Sequence, residues 1–171
     1  VEGTLKSVFP ILIIIMMALF SYNVLVQSKQ IEVIKAQFTS FSDDDGITVL
    51  MLVWGFGGLL EGMAGFGTAV AIPAAILISL GYKPLFSALV SLIANTVPTG
   101  FGAVGVPVIT LANAIAPGGA ASQALISQLS VYAVLQLSLL YFVLPFIILT
   151  LTNHSKSAIF KNLWLSLWVG V

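Results

Sequence analysis

The chain has 171 residues, of which 59% are hydrophobic and 7% charged, and its mean hydropathy is +1.12. Soluble domains carry about 25% charged residues, so this composition predicts an integral membrane protein in contact with a lipid bilayer. Six lysines balance six carboxylates, and a net charge of zero gives no reason to expect a nucleic-acid partner. The absence of cysteine excludes disulfides, thiolate metal ligands and a cysteine nucleophile, and a single histidine excludes a multi-histidine metal site.

The first apolar run, 8-VFPILIIIMMALFSYNVLV-26, holds 19 residues without a charge, enough to span about 30 Å of hydrocarbon as a helix. The segment 27–46 that follows is polar and predicts a cytoplasmic or interfacial stretch. Within it Ile31, Ile34, Phe38 and Phe41 recur at helical spacing, which predicts a short amphipathic helix. The acidic run 42-SDDDG-46 then suits a helix N-terminus, and we prefer this role to metal binding.

Two long apolar segments come next, and each is interrupted by glycine. Residues 47–82 contain one charge, Glu61, and are interrupted at 62-GMAGFG-67. Residues 84–116 are interrupted by 95-NTVPTGFGAVGVP-107, which predicts a broken transmembrane helix. In both segments a Gly-Phe-Gly run is followed by a proline, which suggests a short internal repeat.

The last third of the chain has simpler predicted elements. Residues 117–123 read as a loop, 130–151 as a plain transmembrane helix, and 152–161 as a polar segment. The run 163-LWLSLWVGV-171 predicts the start of a further transmembrane helix. Because the chain starts at Val1 and stops within this run, we expect an internal piece of a larger protein.

The lysines discriminate between two topologies for residues 47–82. A single crossing would divide the lysines between the two membrane faces. A re-entrant hairpin would place five of them on one face and leave the uncharged 117–123 loop on the other. The positive-inside rule favours the hairpin and makes the lysine face cytoplasmic. These five lysines are Lys29, Lys35, Lys83, Lys156 and Lys161.

The tip of such a hairpin predicts a solute path. Non-helical backbone at membrane depth is tolerated only where it is buried in protein or lines an aqueous cavity. Broken helices present free amide and carbonyl groups to solutes, and glycine lets a solute approach the backbone closely. We therefore expect the glycine-rich interruptions to line the path.

Glu61 is the only carboxylate after Asp45, and a carboxylate inside a membrane usually marks a solute pathway or a proton relay. The alternative is a structural glutamate that accepts backbone N–H groups at the hairpin tip. Asn95, Thr96 and Thr99 lie where the second segment should unwind. They either bind a substrate or satisfy the freed backbone groups, and the sequence leaves both roles open.

Lys83 lies in 81-GYKPL-85, between a glycine and a proline, and predicts a loop at the interface. A snorkelling lysine that anchors the topology is the simpler interpretation. The alternative is that Lys83 attracts an anionic substrate electrostatically at the cytoplasmic mouth.

The runs 53-VWGFGGLLEGMAGFGTAVAIPAAILISLGYKPL-85 and 93-IANTVPTGFGAVGVPV-108 together resemble the lactate permease family. The resemblance covers most of residues 47–116. It implies an all-α, polytopic protein of the bacterial inner membrane, with a re-entrant hairpin and a broken helix, built from a chain much longer than this one. It also implies transport of L-lactate, and in some members glycolate or D-lactate, together with protons.

By this resemblance the residues of the two interruptions become candidates for the substrate and proton pathway, with Lys83 as the mouth candidate. The remainder of the permease chain would be needed to complete the site. No cofactor and no metal is expected. The pathway candidates are Glu61, Gly65, Phe66, Gly67, Thr68, Asn95, Thr96, Thr99, Gly100 and Gly102.

Three classes of function compete. A secondary carrier of lactate and related 2-hydroxymonocarboxylates, coupled to protons, is the leading one, with sodium coupling or another carboxylate as its variant. A membrane enzyme would need clustered histidines, cysteines or carboxylates, which this chain lacks. A membrane assembly subunit would have no need of glycine-broken helices with polar tips.

Overall fold

A computed structural model describes residues 12–13, 16–17, 20, 23–24, 26–42, 44–65, 67–116, 119–153 and 158–170. These residues are almost entirely α-helical and include no strand, as the composition predicts. The predicted helix at 8–26 lies only partly within them, and its described positions from Leu12 to Gln27 are helical. Several residues on which the sequence predictions depend lie outside the described ones: Asp43, Phe66, the single histidine His154, and Lys156.

The first complete helix, α1 (Gln30–Phe41), lies where the sequence predicts a short amphipathic helix. Ile34 and Phe38 are half-buried against the core, and the Phe38 ring centroid lies 5.7 Å from that of Phe56. These two side chains of the predicted apolar stripe therefore pack towards the rest of the structure, and Phe38 packs on the helix that follows.

Helix α2 (Asp45–Met63) is capped by Asp44, in the role that the sequence predicts for an acidic residue here. Asp44 Oδ1 accepts hydrogen bonds from the backbone nitrogens of Gly46 at 2.9 Å and Ile47 at 3.3 Å. The middle of α2, Met51–Phe56, is wound as a π-helix. Such a widened turn breaks the regular hydrogen-bond ladder and is often found near functional sites.

After a turn at residues 64–67, two short helices form an antiparallel pair, α3 (Thr68–Ser79) and α4 (Pro84–Asn95). Each has 12 residues, about 18 Å in length, which is too short to cross a bilayer alone. Gly81, with φ +99°, makes the tight turn between them. The hydroxyl of Tyr82 in this turn donates to Asp45 Oδ1 at 2.8 Å, so the chain returns to the start of α2.

The second interrupted segment breaks where proline and glycine predict it. A 3₁₀ turn, Pro98–Phe101, follows α4, because Pro98 has no N–H to continue the helical ladder. In the next element, α5 (Gly102–Ile115), Ala103, Val104 and Gly105 have left-handed backbone conformations before regular helix resumes. A left-handed conformation costs about 1–2 kcal/mol for each residue that has a side chain, so tertiary contacts must hold this bend.

Helix α6 (Gly119–Thr152) is longer than the span predicted at 130–151, and α7 (Ala158–Gly170) packs along it. Residues 119–123, predicted as loop, are helical. The stretch 119-GAASQALISQ-128 contains no charge and includes the good helix formers Ala, Leu and Gln, and the Ser122 hydroxyl donates to Asn113 Oδ1 at 2.7 Å.

The core lies between α2, α3, α4 and the C-terminal part of α6, around Val49, Leu77, Val90 and Ile148. Three helices in the described part of the chain are long and apolar enough to cross a membrane: Asp45–Met63, Pro98–Ile115 and Ser122–Thr152. The prediction of an all-α membrane protein is thereby confirmed. The re-entrant hairpin is a statement about the bilayer and stays a prediction.

Candidate functional site

The two interruptions of the apolar segments meet in space. Gly65, in the turn after α2, packs on the bend after α4, and its φ is +60°. A β-carbon on Gly65 would lie 3.0 Å from the backbone nitrogen of Ala103 and 3.2 Å from its β-carbon. Both the backbone conformation and the close approach therefore favour glycine at position 65.

Glu61 lies in the last turn of α2 with 3% of its surface exposed. A β-carbon on Gly102 would overlap with Glu61 Oε1 and lie 3.2 Å from its Cδ, so Gly102 provides the space that the carboxyl group fills. The other oxygen, Oε2, has no hydrogen-bond partner among the described residues. A purely structural glutamate would use its oxygens on backbone N–H groups, and Oε2 does not.

A cavity of about 220 Å³, here called the central cavity, opens beside this carboxyl group. Six of its eight lining residues are pathway candidates from the sequence. Ala103 and Pro107 are the two that sequence reasoning missed, because apolar residues carry no chemical signal; only their place inside the 95–107 interruption pointed to them. The lining residues are Glu61, Gly65, Gly67, Asn95, Thr99, Gly102, Ala103 and Pro107.

Asn95, at the end of α4, is held by Thr99. The Thr99 hydroxyl donates to the Asn95 backbone carbonyl at 2.5 Å and accepts from Asn95 Nδ2 at 3.1 Å. Asn95 Oδ1 is buried and has no hydrogen-bond partner in the described part of the structure. Two residues that line the central cavity, Glu61 and Asn95, thus each carry a buried acceptor without a partner among the described residues, which suits a bound donor or cation.

The longest apolar helix gives the depth of this site. Near the C-terminal end of α6, Leu149 Cδ2 lies 3.2 Å from where a β-carbon on Gly46 would be. Near the start of α6, Ser122 forms a hydrogen bond with Asn113. Between them, Leu137 Cδ1 lies 3.4 Å from where a β-carbon on Gly100 would be. Leu137 is midway along the apolar span Ser122–Thr152, so the break beside the cavity lies at half its depth.

Three further candidates contact other parts of the structure. Thr68 is buried, and its hydroxyl donates to the Gly65 carbonyl at 2.5 Å, which holds the turn after α2. Thr96 is exposed and its hydroxyl donates to the Leu92 carbonyl at 3.2 Å, so it satisfies helix backbone. Gly100 faces α6.

Lys83 lines a separate, more open pocket of about 360 Å³ at the other end of α4, about 18 Å from Asn95 along the helix. Tyr82 stacks on Phe86 with ring centroids 5.9 Å apart, and burial followed by the Asp45 hydrogen bond raises the pKa of Tyr82. Lys83 itself is exposed, so both of its predicted roles stay open. The pocket is lined by Asp45, Gly81, Tyr82, Lys83, Phe86, Leu151 and Thr152.

The described residues contain no group of three or more histidine, cysteine or acidic side chains that could hold a metal ion. The polar side chains among the described residues that line the central cavity are one carboxyl group, one amide and one hydroxyl group, those of Glu61, Asn95 and Thr99.

Comparison with known proteins places the chain in a family. The L-lactate permease family matches over residues 1–171. An L-lactate permease of Streptococcus iniae is 48% identical over 158 residues, which cover 92% of this chain and 32% of that protein. The glycolate permease GlcA of Escherichia coli (strain K12) is 47% identical over 107 residues, which cover 63% of this chain and 19% of that protein.

An L-lactate permease of Bacillus subtilis (strain 168) is 42% identical over 107 residues, 63% of this chain and 19% of that protein. The chain thus spans a third or less of the length of these relatives. No solved structure matches it significantly. The match along the whole chain shows that this multi-pass membrane protein belongs to the L-lactate permease family, whose members are named as transporters and not as enzymes.

Proposed function

We propose that this chain forms part of a secondary transporter that moves lactate, glycolate and related 2-hydroxymonocarboxylates across the bacterial inner membrane together with protons. The observation that carries the proposal is the buried Glu61 carboxyl group, with its unpartnered Oε2, in a cavity at half the depth of the longest apolar helix. The names of the relatives, lactate and glycolate permeases, support the substrate class.

The size of the central cavity suits a small acid. Drug-sized ligands occupy pockets of about 300–1,000 Å³, and a water molecule takes about 30 Å³ of liquid volume. A cavity of about 220 Å³ is large enough for lactate with a few water molecules and too small for most cofactors. The lining is mostly apolar, and its polar groups at Glu61, Asn95 and Thr99 can orient such a ligand.

Charge in the cavity supports proton coupling. Among the described residues that line the cavity, Glu61 is the one ionisable side chain, and none is a lysine, arginine or histidine that could neutralise an anion. An ionised Glu61 would repel a carboxylate substrate at close range, whereas a protonated Glu61 can donate a hydrogen bond to it. The substrate anion and the proton therefore bind favourably only together.

Sodium coupling is the second candidate, and the same two atoms favour it. Glu61 Oε2 and Asn95 Oδ1 are oxygen acceptors without a partner among the described residues, and a small cation coordinated by both would also neutralise the site. In this proposal a proton or a sodium ion would bind at the same place, beside Glu61 and Asn95.

The topology belongs to the proposal as well. We infer that residues 47–82 form a re-entrant hairpin entered from the cytoplasm. The Tyr82–Asp45 hydrogen bond supports this, because it joins the two ends of that segment. Lys161, whose Nζ lies 2.5 Å from Asp44 Oδ2, belongs to the same end of the structure as Lys83, in agreement with the positive-inside rule.

The test is uptake of labelled lactate by the protein at its full natural length, purified and reconstituted in proteoliposomes. A pH gradient, acid outside, should drive accumulation in sodium-free buffer, whereas a sodium gradient at equal pH should not. Accumulation driven by the sodium gradient alone would show that sodium, and not the proton, is the coupling ion. No uptake of lactate or glycolate under either gradient would overturn the transport proposal and favour an assembly subunit.

A further inference from the structure

We propose that Asn95 recognises the 2-hydroxyl group of the substrate, with Oδ1 as the hydrogen-bond acceptor and Thr99 as the positioning residue. This inference rests on the proposed function and deepens it, because it names the group that would separate 2-hydroxy acids from simple carboxylic acids. It is carried by the hydrogen-bond geometry of the Asn95–Thr99 pair.

The orientation of the Asn95 amide follows from the protons available. The Thr99 hydroxyl has one proton, and its 2.5 Å contact with the Asn95 backbone carbonyl uses that proton, since a carbonyl oxygen only accepts. Towards the Asn95 side chain Thr99 Oγ1 can then act only as an acceptor. The amide must therefore present Nδ2 to Thr99, at 3.1 Å, and Oδ1 away from it.

The atom left over is a fixed, buried acceptor. Asn95 Oδ1 has no donor among the described residues, and Asn95 and Thr99 both line the central cavity. Because a buried acceptor without a donor is unfavourable, a ligand that supplies an O–H group in the cavity is favoured over one that does not. A site that relies on a ligand hydroxyl in this way discriminates against the analogue that lacks it.

A 2-hydroxy acid matches the two acceptors of the cavity. Its carboxylate and its hydroxyl are on adjacent carbons, so one small ligand can engage both Glu61 and Asn95, which line the same cavity. Protonated Glu61 would donate to the carboxylate and Asn95 Oδ1 would accept from the hydroxyl. Propionate and acetate retain the first interaction and lose the second.

The experiment compares pairs of acids that differ in this hydroxyl. In proteoliposomes that contain the full-length protein, unlabelled lactate, propionate, glycolate and acetate compete with labelled lactate, and the ratio of half-inhibitory concentrations within each pair is measured. For the unsubstituted protein we expect a preference of about tenfold or more for each hydroxy acid, the effect of one hydrogen bond to a buried group. Asn95→Leu should reduce the ratio towards one.

Thr99 provides the second variant, in case Asn95→Leu does not fold. Thr99→Val removes the constraint on the amide and should lower the preference, whereas Thr99→Ser keeps the hydroxyl and should preserve it. Asn113→Leu is the matched control, because Asn113 forms a hydrogen bond with Ser122 near the start of α6 and is not among the residues that line the cavity. The preference of this variant for hydroxy acids should be unchanged.

The outcomes separate this inference from the proposed function. Lactate uptake with an unchanged ratio in both Asn95→Leu and Thr99→Val would overturn the role of Asn95 and leave transport intact. Equal inhibition by lactate and propionate in the unsubstituted protein would likewise overturn the role of Asn95 and leave transport intact. Failure of the unsubstituted protein to take up any of these acids would overturn both proposals.

Discussion

The carboxyl group of Glu61 fills the space in which a side chain on residue 102 would begin, because a β-carbon on Gly102 would overlap with Glu61 Oε1. This contact joins the end of α2 to the bend after α4. The two interruptions of the apolar segments therefore form one site through a carboxyl group packed on a glycine.

Gly102→Ala should inactivate transport. The added methyl group has no space unless the Glu61 carboxyl group moves, and both residues line the central cavity. We expect the initial rate of lactate uptake to fall by at least tenfold, measured per amount of protein in the membrane. Gly58→Ala is the matched control, since nothing lies within 4 Å of a β-carbon there and alanine is a better helix former. Normal uptake by Gly102→Ala would show that the carboxyl group is free to relocate.

Gly65→Ala should impair folding as well as transport. Its φ of +60° disfavours a side chain, and the new β-carbon would meet the backbone nitrogen of Ala103 at 3.0 Å. Together these effects should cost about 1–3 kcal/mol, a large part of the stability of a typical domain. The measurement is the thermal unfolding midpoint in detergent, and an unchanged midpoint would contradict the close packing of the two interruptions.

The sequence predicted the positions of these breaks because proline and glycine act locally: they remove a donor or allow φ > 0 wherever they occur. It also singled out Glu61 and Asn95 by polarity in an apolar run. It did not predict the left-handed backbone of Ala103 and Val104, since neither residue favours that conformation, and the close approach of Gly65 to Ala103 joins residues that are distant in the sequence. The contact of Glu61 with Gly102 was out of reach for the same reason.

Helix α6 shows a second limit of sequence-based prediction, in which the start of a regular helix was predicted to be a loop. Its start at Gly119 was missed because the run 117-PGGAASQ-123, with a proline, two glycines and two polar residues, resembles a loop in sequence. The structure gives Ser122 a partner on a neighbouring helix, Asn113, so polarity there reflects a helix–helix contact. A sequence pattern cannot distinguish a polar residue in water from one that bonds across an interface.

Asp44 should contribute to stability in a pH-dependent way. Its hydrogen bond to the Lys161 ammonium group, opposed by partial burial and helped by the backbone N–H of Ile47, lowers the pKa of Asp44. A lowered pKa means that the contribution is full at neutral pH and is lost as the pH falls below the value for an unfolded aspartate, about 3.9. Thermal unfolding at pH 7 and at lower pH should show the difference between wild type and Asp44→Asn shrinking with acid.

Asp44→Ala separates the cap from the charge. Asparagine at this position retains an oxygen for the N–H groups of Gly46 and Ile47, whereas alanine removes it, so Asp44→Ala should cost about 1 kcal/mol more. Equal unfolding midpoints for the two variants would show that the cap adds nothing here. A difference between wild type and Asp44→Asn that grew with acid would contradict the ion pair.

The hairpin topology predicts the accessibility of introduced thiols, since the chain has no cysteine. From Lys83 the chain passes through α4 and α5 to Asn113, so these two positions should face opposite sides. With an impermeant maleimide, we expect Lys83→Cys to react in inverted vesicles and Asn113→Cys in intact cells. Reaction of Lys83→Cys from the outside alone would mean that residues 47–82 cross the membrane once.

The proposed coupling role of Glu61 follows from the charge that must cross the membrane. Lactate is an anion at neutral pH, and an inside-negative potential opposes its entry by about 2.3 kcal/mol per 100 mV. Carrying one proton with it removes this cost. Glu61 is the only carboxyl group in the sequence after Asp45, and one of its oxygens has no partner among the described residues. We therefore expect Glu61 to take up a proton next to the substrate.

Glu61→Gln should therefore abolish accumulation driven by a pH gradient and retain exchange of labelled for unlabelled lactate. Glutamine keeps the volume of the side chain beside Gly102, and its amide can donate to the substrate carboxylate as the protonated acid does, but it cannot release a proton. Exchange needs no net proton movement and so survives the substitution. Glu32→Gln, on the exposed surface of α1, is the matched control and should leave both activities intact. If Glu61→Gln accumulates lactate normally on a pH gradient, another group carries the proton, and Glu61 serves to hold the two interruptions together.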